Sequence, residues 1–244
     1  MVKYLLIISV LIFTITCKKS DQRRCWKTIG ETTTLTLPID SVKKFNLYSK
    51  LTYVLHQSNA RKIEIIGGSN MVNLVDIDYK NYTLDIRNKS YCHFLRDFDK
   101  KIVVHIYNPH YEDIYAEISD SLIFLDTIKG NLLQLEMRES GGVTVLTSDL
   151  NDLSVIVSAG VGSFVLNGFA KYATLKTQGQ AFGNALGLTS EFLNIYQNSN
   201  NNLSVNISNA ETNVLINGAG DVEYAGIPKS VIISKNGDGV FVKN

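Results

Sequence analysis

The stretch SLIFLDTIKGNLLQLEMRES (121–140), GGVTVLTSDLNDLSVIVSAG (141–160), VGSFVLNGFAKYATLKTQGQ (161–180), AFGNALGLTSEFLNIYQNSN (181–200), NNLSVNISNAETNVLINGAG (201–220) falls into five blocks of twenty residues without insertion or deletion. The fifth residue of each block is Leu125, Val145, Val165, Ala185 and Val205, and the fifteenth is Leu135, Val155, Leu175, Ile195 and Leu215. Two apolar columns half a repeat apart are what a stacked solenoid requires, because a single coil can bury its inward side chains only against its neighbours. The spacing predicts one strand over positions three to seven and another over positions thirteen to seventeen. Clusters such as Thr147-Ser148-Asp149, Asn151-Asp152, the run 198–202 and Asn217-Gly218-Ala219-Gly220 are expected to turn the chain between them. Six or seven such coils, about 4.8 Å apart, make a rod on the order of 30 Å long. After Gly220 the period shortens to nineteen residues over Asp221–Gly239, as expected of a terminal capping coil. An antiparallel sandwich or barrel also gives strands every ten residues, but neither demands a fixed twenty-residue period in both columns. The reading is therefore all-β: a right-handed parallel β-helix of about 20 residues per coil, over residues 119–244 with a C-terminal cap.

Upstream, residues 31–118 form a more irregular β portion of the same domain. Leu35/Leu37/Ile39, Leu51/Tyr53/Leu55, Ile63/Ile65 and Ile102/Val104/Ile106 alternate with polar neighbours. Lys80-Asn81 separates two alternating runs, Val75–Tyr79 and Tyr82–Ile86, and predicts a tight hairpin. Arg87 to Asp99 reads as a polar loop. Beyond residue 16, no segment keeps apolar residues at helical spacing with caps, so long helices are not expected.

The first sixteen residues carry one charge, Lys3, ahead of an apolar run from Leu5 to Ile15. The run is short for a membrane span and has the proportions of a secretory leader. Thr14-Ile15-Thr16-Cys17 resembles the lipobox of bacterial lipoproteins. That resemblance implies removal of residues 1–16, diacylation of Cys17, and residues 17–30 as a lipid-anchored tether. Burial of each acyl methylene contributes about 0.8 kcal/mol to such an anchor. Lys18 follows at once, which implies the outer membrane, with the periplasmic or surface side open. With Cys17 acylated, Cys25 and Cys92 remain as the one possible intramolecular disulfide in an oxidising compartment, or as two unpaired buried thiols.

The whole chain has 24 basic and 23 acidic residues, so removal of the leader leaves 23 of each. A neutral mature chain argues against a nucleic-acid footprint. At 45% hydrophobic residues, it can bury a substantial core.

Leu215-Ile216-Asn217-Gly218-Ala219-Gly220-Asp221-Val222-Glu223-Tyr224-Ala225-Gly226-Ile227-Pro228 resembles the terminal signature of the head-GIN domain family of autotransporter adhesins. Asn88-Lys89-Ser90-Tyr91-Cys92-His93-Phe94-Leu95-Arg96 and Ile102-Val103-Val104-His105-Ile106 are similar to its middle section. The resemblance covers roughly residues 40–244. It implies a parallel β-helix and, as in many family members from Bacteroidota, a lipoprotein. It brings no catalytic residue. The chain departs from the family pattern in having few Ser-Gly-Ser-Gly turns; Ser158-Ala159-Gly160-Val161-Gly162 is a diluted form.

Parallel β-helices also carry polysaccharide lyases and hydrolases, which need stacked carboxylates on one exposed face. The expected outward column at position fourteen is Gln134, Ser154, Thr174, Asn194 and Val214, and at position sixteen Glu136, Ile156, Lys176, Tyr196 and Ile216. Neither pairs acids in adjacent coils. Asp149 and Asp152 fall in an expected turn. His56, His93, His105 and His110 lack metal spacing, and Asn236-Gly237-Asp238-Gly239 reads as a turn rather than a calcium loop. No cofactor, metal or catalytic residue is therefore expected. Asp40-Ser41-Val42, Asp120-Ser121-Leu122 and Asp126-Thr127-Ile128 resemble the Bacteroidota O-glycosylation acceptor, giving Ser41, Ser121 and Thr127 as candidate sites. The leading reading is a non-catalytic cell-envelope lipoprotein acting as a binding or adhesion module. Gln134, Ser154, Thr174, Asn194 and Tyr196 form its candidate contact surface for a glycan or protein; a plain solvated sheet face is the alternative for those residues. A carbohydrate-active enzyme and a structural envelope protein that assembles with itself are the rivals.

Overall fold

A computed structural model of the chain describes residues 28–89, 101–140 and 142–244. Cys17, Cys25, Cys92 and His93, with the leader and most of the tether, lie outside the described residues. The described chain is almost wholly β, and builds a solenoid of about six turns spaced roughly 20 residues apart.

The regular part begins with β8 (Asp113–Ile118), β9 (Leu122–Phe124) and β10 (Ile128–Ser140). Three long bent strands follow: β11 (Val143–Gly160), β12 (Ser163–Gly179) and β13 (Phe182–Ser199). The last coils are β14 (Leu203–Asn206) with β15 (Glu211–Ile216), β16 (Val222–Ala225) with β17 (Ser230–Lys235), and β18 (Phe241–Lys243). All of these pair in parallel with the strand one coil away. Two flanks result. Sheet A contains β8, β10, the second halves of β11, β12 and β13, then β15 and β17; sheet B contains β9, the first halves of β11, β12 and β13, then β14, β16 and β18. The segment around Ser148-Asp149-Leu150 is a corner rather than a chain-reversing turn. It keeps its ladder, pairing with Gly168-Phe169-Ala170, so Asp149 and Asp152 sit within a strand.

The fifteenth-position column is the core of sheet A as far as Ile195. With its neighbours it runs Ile114–Leu135–Val155–Leu175–Ile195–Val214–Ile233 in register. The fifth-position column is corrected. Leu125 is 64% exposed, and Val145 and Val165 face outward half-buried; Phe124, Leu146, Phe164 and Leu166 fill the core of sheet B instead. Ala185 and Val205 of that column do face inward. The cause is a turn one residue shorter, since Val157 pairs with Thr177, twenty residues on, but Ser163 pairs with Phe182, nineteen on, and a β-bulge then restores the offset. Val165 pairs with Asn184 but Asn167 pairs with Gly187, so Ala185 and Leu186 together oppose Leu166. Because side chains alternate every residue, one inserted residue exchanges inside for outside. The shift to nineteen also comes earlier than Asp221: Ile195 pairs with Val214, whereas Ala185 still pairs with Val205. Val214 and Ile216 are consequently inward and buried, and Leu215 turns outward, against the outward assignment of the first two.

At the amino end, β1 (Thr32–Pro38) lies antiparallel to β4 (Lys62–Gly68), which is antiparallel to β7 (Val103–Asn108). The hairpin β5 (Val75–Lys80) and β6 (Thr83–Asn88) closes the same end of sheet A. Its turn residues are Asn81 and Tyr82, both at positive φ, one position beyond Lys80-Asn81. Arg87 belongs to strand β6, not to the following loop. A one-turn helix, α1 (Ser69–Val72), buries Met71 and Val72 across the end of the core. The coil of β2 (Lys44–Ser49) and β3 (Thr52–Gln57) does not come first in space. It is sandwiched, with β2 between β6 and β8 and β3 between β7 and β9. The crossover from β7 to β8 is pinned by buried Tyr111, whose hydroxyl donates to the Ile106 carbonyl at 2.8 Å.

Among the described residues, the carboxyl end has no such cover. Ile233 is 48% exposed although it stands in the inward column, and the last inward register positions belong to Lys235 and Lys243, beneath Ile216 and Tyr224. A further strand stacked there would have to bury two ammonium groups, which protects the open edge from pairing. Replacing both by leucine is expected to produce concentration-dependent association in sedimentation velocity at concentrations where the parent chain is monodisperse.

At the corner after sheet A the coils touch backbone to backbone. A Cβ on Gly218 would lie 2.1 Å from the Ser199 carbonyl oxygen, and one on Gly237, a coil later, 2.4 Å from that of Gly218. Asn217-Gly218-Ala219-Gly220 and Asn236-Gly237-Asp238-Gly239 are thus stacked copies of one turn, joined by an Asn236 Nδ2 to Asn217 Oδ1 hydrogen bond of 2.9 Å. Gly218→Ala is expected to destabilise the domain by about 3 kcal/mol in chemical denaturation, whereas Ala219→Ser leaves it within about 0.5 kcal/mol.

Candidate binding face

The outside of sheet A is a flat lattice whose rows run across the coils. One row reads Lys44, Asp113, Gln134, Ser154, Thr174, Asn194, Asn213 in direct register. Lys44 and Asp113 close an exposed ion pair at 3.0 Å, and Asn213 Nδ2 donates to Asn194 Oδ1 at 3.1 Å. Gln134 is exposed, and Ser154, Thr174 and Asn194 are half-buried. Tyr196 stands one row over, 40% exposed beside Lys176. The five sequence-nominated contact residues therefore share one surface. Sequence reasoning missed the aromatic pair beside them: Tyr172 and Phe192 stack at 4.9 Å and 12°, with the Lys171 ammonium 5.3 Å from the Tyr172 ring. A further row ends in an asparagine ladder, with Asn217 Nδ2 donating to Asn198 Oδ1 at 2.7 Å.

Toward the amino end the same face becomes concave. Tyr48, Ser49, Arg87, Glu117, Ile118 and Ser119 line an open cleft of about 480 Å³. Tyr48 and Tyr115 rings meet at 5.9 Å, and the Arg87 guanidinium lies 4.4 Å from the Tyr48 centroid. Tyr115 donates to Glu117 Oε2 at 3.0 Å and is hydrogen-bonded to Arg138. Burial pushes the Tyr115 phenol pKa up; the Arg138 contact opposes that rise and the Glu117 contact adds to it. Ser49 holds φ at 76°, and its Oγ accepts from the Asn88 N–H.

On the outside of sheet B, the structure joins two histidines that are 49 residues apart. His56 Nε2 and His105 Nδ1 stand 2.8 Å apart, so one donates and the other accepts. His56 stacks on Tyr107 at 4.2 Å, the Tyr107 hydroxyl donates to Glu64 at 3.1 Å, and Lys62 bonds Glu64 at 2.7 Å. The contact needs strands β3 and β7 side by side, which no local spacing reveals. His110 is exposed and apart. Among the described residues, no group of three or more His, Cys, Asp or Glu side chains is placed to hold a metal ion. Of the candidate glycosylation sites, Ser41 and Thr127 are exposed and Ser121 is half-buried.

A family model described as "Putative auto-transporter adhesin, head GIN domain" matches residues 43–228. The chain belongs to the head GIN domain family. No curated protein matches it in sequence. Three solved structures share the fold of this head GIN chain. A "putative adhesin" from Bacteroides fragilis NCTC 9343 is 19% identical with a TM-score of 0.75, covering 88% of this chain and 97% of its own. A "putative adhesin" from Parabacteroides distasonis ATCC 8503 is 16% identical with a TM-score of 0.62, covering 88% and 98%. A "putative lipid binding protein" from the same Parabacteroides strain is 18% identical with a TM-score of 0.64, covering 88% and 97%. Asn217-Gly218-Ala219-Gly220 of the family-like signature sits at the stacked-glycine corner, so that part of the signature serves coil stacking.

Burial holds the His56 pKa below the ordinary histidine range, and His105 and Lys62 add to that shift, while Asp126 and Glu64 oppose it. A ring kept neutral in the fold but free to protonate in the unfolded chain stabilises above about pH 6.5, and that contribution is lost as pH falls. The melting temperature is expected to drop between about pH 7 and pH 5. His56→Asn should flatten the profile in scanning calorimetry; an unchanged slope would separate the pair from acid sensitivity.

Proposed function

We propose that this chain is a non-catalytic binding module of the cell envelope, held by acylation of Cys17 and engaging a glycan or protein through the outer face of sheet A. The observation that carries the reading is the register of that face. Tyr172, Phe192 and Tyr196 sit in line with the amide and hydroxyl side chains of Gln134, Thr174 and Asn194 on a sheet whose coils hold one another rigidly. Aromatic planes and fixed hydrogen-bonding groups on a rigid element suit recognition with little ordering cost. The enzyme reading is disfavoured by the ladders themselves, since neither nominated row sets one carboxylate directly opposite another in the next coil. Family membership supports an adhesin-like role in the envelope. No helix among the described residues is long and apolar enough to cross a membrane, so a lipid on Cys17 supplies the attachment in this reading. A Cys25–Cys92 disulfide would tie the tether to the domain.

A second reading, self-assembly, is favoured by sheet B. Val54, Ile123, Val145 and Val165 form an outward apolar row in register, flanked by Leu125 and by Phe182 at 50% exposure. Light scattering that shows a concentration-dependent oligomer abolished by Val145→Lys would establish it.

The leading reading expects selective binding on a glycan or envelope-protein array by the chain from residue 18 onward. Tyr172→Ala with Tyr196→Ala should weaken it at least tenfold, and no reducing sugar should be released from the same glycans. Sugar release would establish the enzyme instead. In cells, Cys17→Ser is expected to abolish palmitate labelling and shift the protein out of the membrane fraction.

A further inference from the structure

We propose that the cleft at the amino end of sheet A binds a carboxylate-bearing pyranose, that is, a uronic acid residue within a glycan. The proposal rests on the reading of this sheet as the binding face and assigns a chemistry to one part of it.

Arg87 is the centre of the argument. Its guanidinium is exposed, lies 4.4 Å from the Tyr48 ring centroid, and forms no ion pair among the described residues. Three carboxylates neighbour it by register, strand position or cleft lining, and each has another partner. Asp76 is its direct cross-strand partner yet pairs with Lys89 at 2.7 Å. Asp85, two residues back on the same strand, accepts from Asn46 Nδ2 at 2.7 Å. Glu117 shares the cleft and accepts from Tyr115 at 3.0 Å. A planar cation seated on an aromatic ring and in no ion pair among the described residues presents a fork suited to a bidentate carboxylate.

The rest of the cleft selects among anions. Glu117 uses one oxygen on Tyr115 and keeps acceptor capacity for a ligand hydroxyl. A sulfate or phosphate dianion would face that carboxylate at a cost, whereas a uronic acid brings one carboxylate for Arg87 and neutral hydroxyls for Glu117, Ser49 and Ser119. Tyr48 and Tyr115, tilted at 57°, offer ring edges and faces to the sugar carbons. A volume of about 480 Å³ lies within the range of small-ligand sites and accommodates a short oligosaccharide segment.

The test is isothermal titration calorimetry on the chain from residue 18 onward, with tetragalacturonate and with the same tetramer after carboxyl reduction. The parent chain is expected to bind the acid form at least tenfold more tightly. Arg87→Gln, which keeps the stem and removes the charge, should abolish that preference, with an unchanged melting temperature showing the fold intact. Glu117→Gln should retain the preference and admit inorganic sulfate as a competitor. Equal affinity for the two probes, or an Arg87→Gln chain that keeps the preference, overturns the cleft assignment and leaves the binding-face reading standing. Failure to bind either probe, while the array shows binding lost in the Tyr172 and Tyr196 variants, does the same. Failure to bind any glycan or envelope protein on the array overturns both.

Discussion

Coil-on-coil hydrogen bonding is the constraint from which the rest of this structure follows. Each strand of the regular part is held by the strand one coil away, at a backbone spacing of about 4.8 Å. At that distance every inward position meets the same position of its neighbours, so side chains must fit along columns rather than as isolated pairs. Leu84, Phe45, Ile114, Leu135, Val155, Leu175, Ile195 and Val214 form one unbroken column down sheet A. The same spacing explains a local oddity of sheet B, where Gly183 sits inside the core. A Cβ there would lie 2.2 Å from the Phe164 ring, so the ring of one coil fills the space left by the next. The corners obey the rule in its strictest form, since the carbonyl of one turn occupies the place a side chain would need in the next.

The outer face inherits this regularity. A side chain within a strand of a β-helix has fixed neighbours in four directions, two along the ladder and two along its own strand. Amide and aromatic groups therefore align without any ligand to organise them. That is why Tyr172 lies flat against Phe192, and why Asn198, Asn217 and Asn236 bond in sequence. Such a surface loses little freedom on contact.

How much of this was legible in the sequence depends on whether a feature is periodic. The fifteenth-position column was readable because Leu135, Val155, Leu175 and Ile195 keep a constant offset through straight ladder. The fifth-position column misled, because Val145 and Val165 are apolar yet outward, and a turn one residue shorter before Phe182 brings Ala185 inward until the bulge at Ala185-Leu186 restores the register. The lost residue and the inserted one cancel within the block, so its length stays at twenty and both are invisible to a period count. Gln134, Ser154, Thr174 and Asn194 were legible as one row for the same reason as the core. The histidine pair and the Arg87–Tyr48 contact were not, since each joins strands 39 or more residues apart. Those strands become neighbours only through the irregular amino-terminal topology, where no repeat exists to announce it.

That topology bears on how the rod comes into being. Because the coil of β2 and β3 is sandwiched between two coils made later in the chain, it cannot act as a template when it first emerges from the ribosome or a translocation channel. Its partners on one side arrive with residues 83–108, and on the other with residues 113–124. The amino-terminal block is thus assembled from segments far apart in sequence, whose loop closure costs more entropy than that of a coil twenty residues from its neighbour. Once it exists, each following coil needs only to find the one just laid down, a short-range step that can keep pace with the arriving chain. The entropy of loop closure is therefore concentrated in the amino-terminal block and is least in the most regular part.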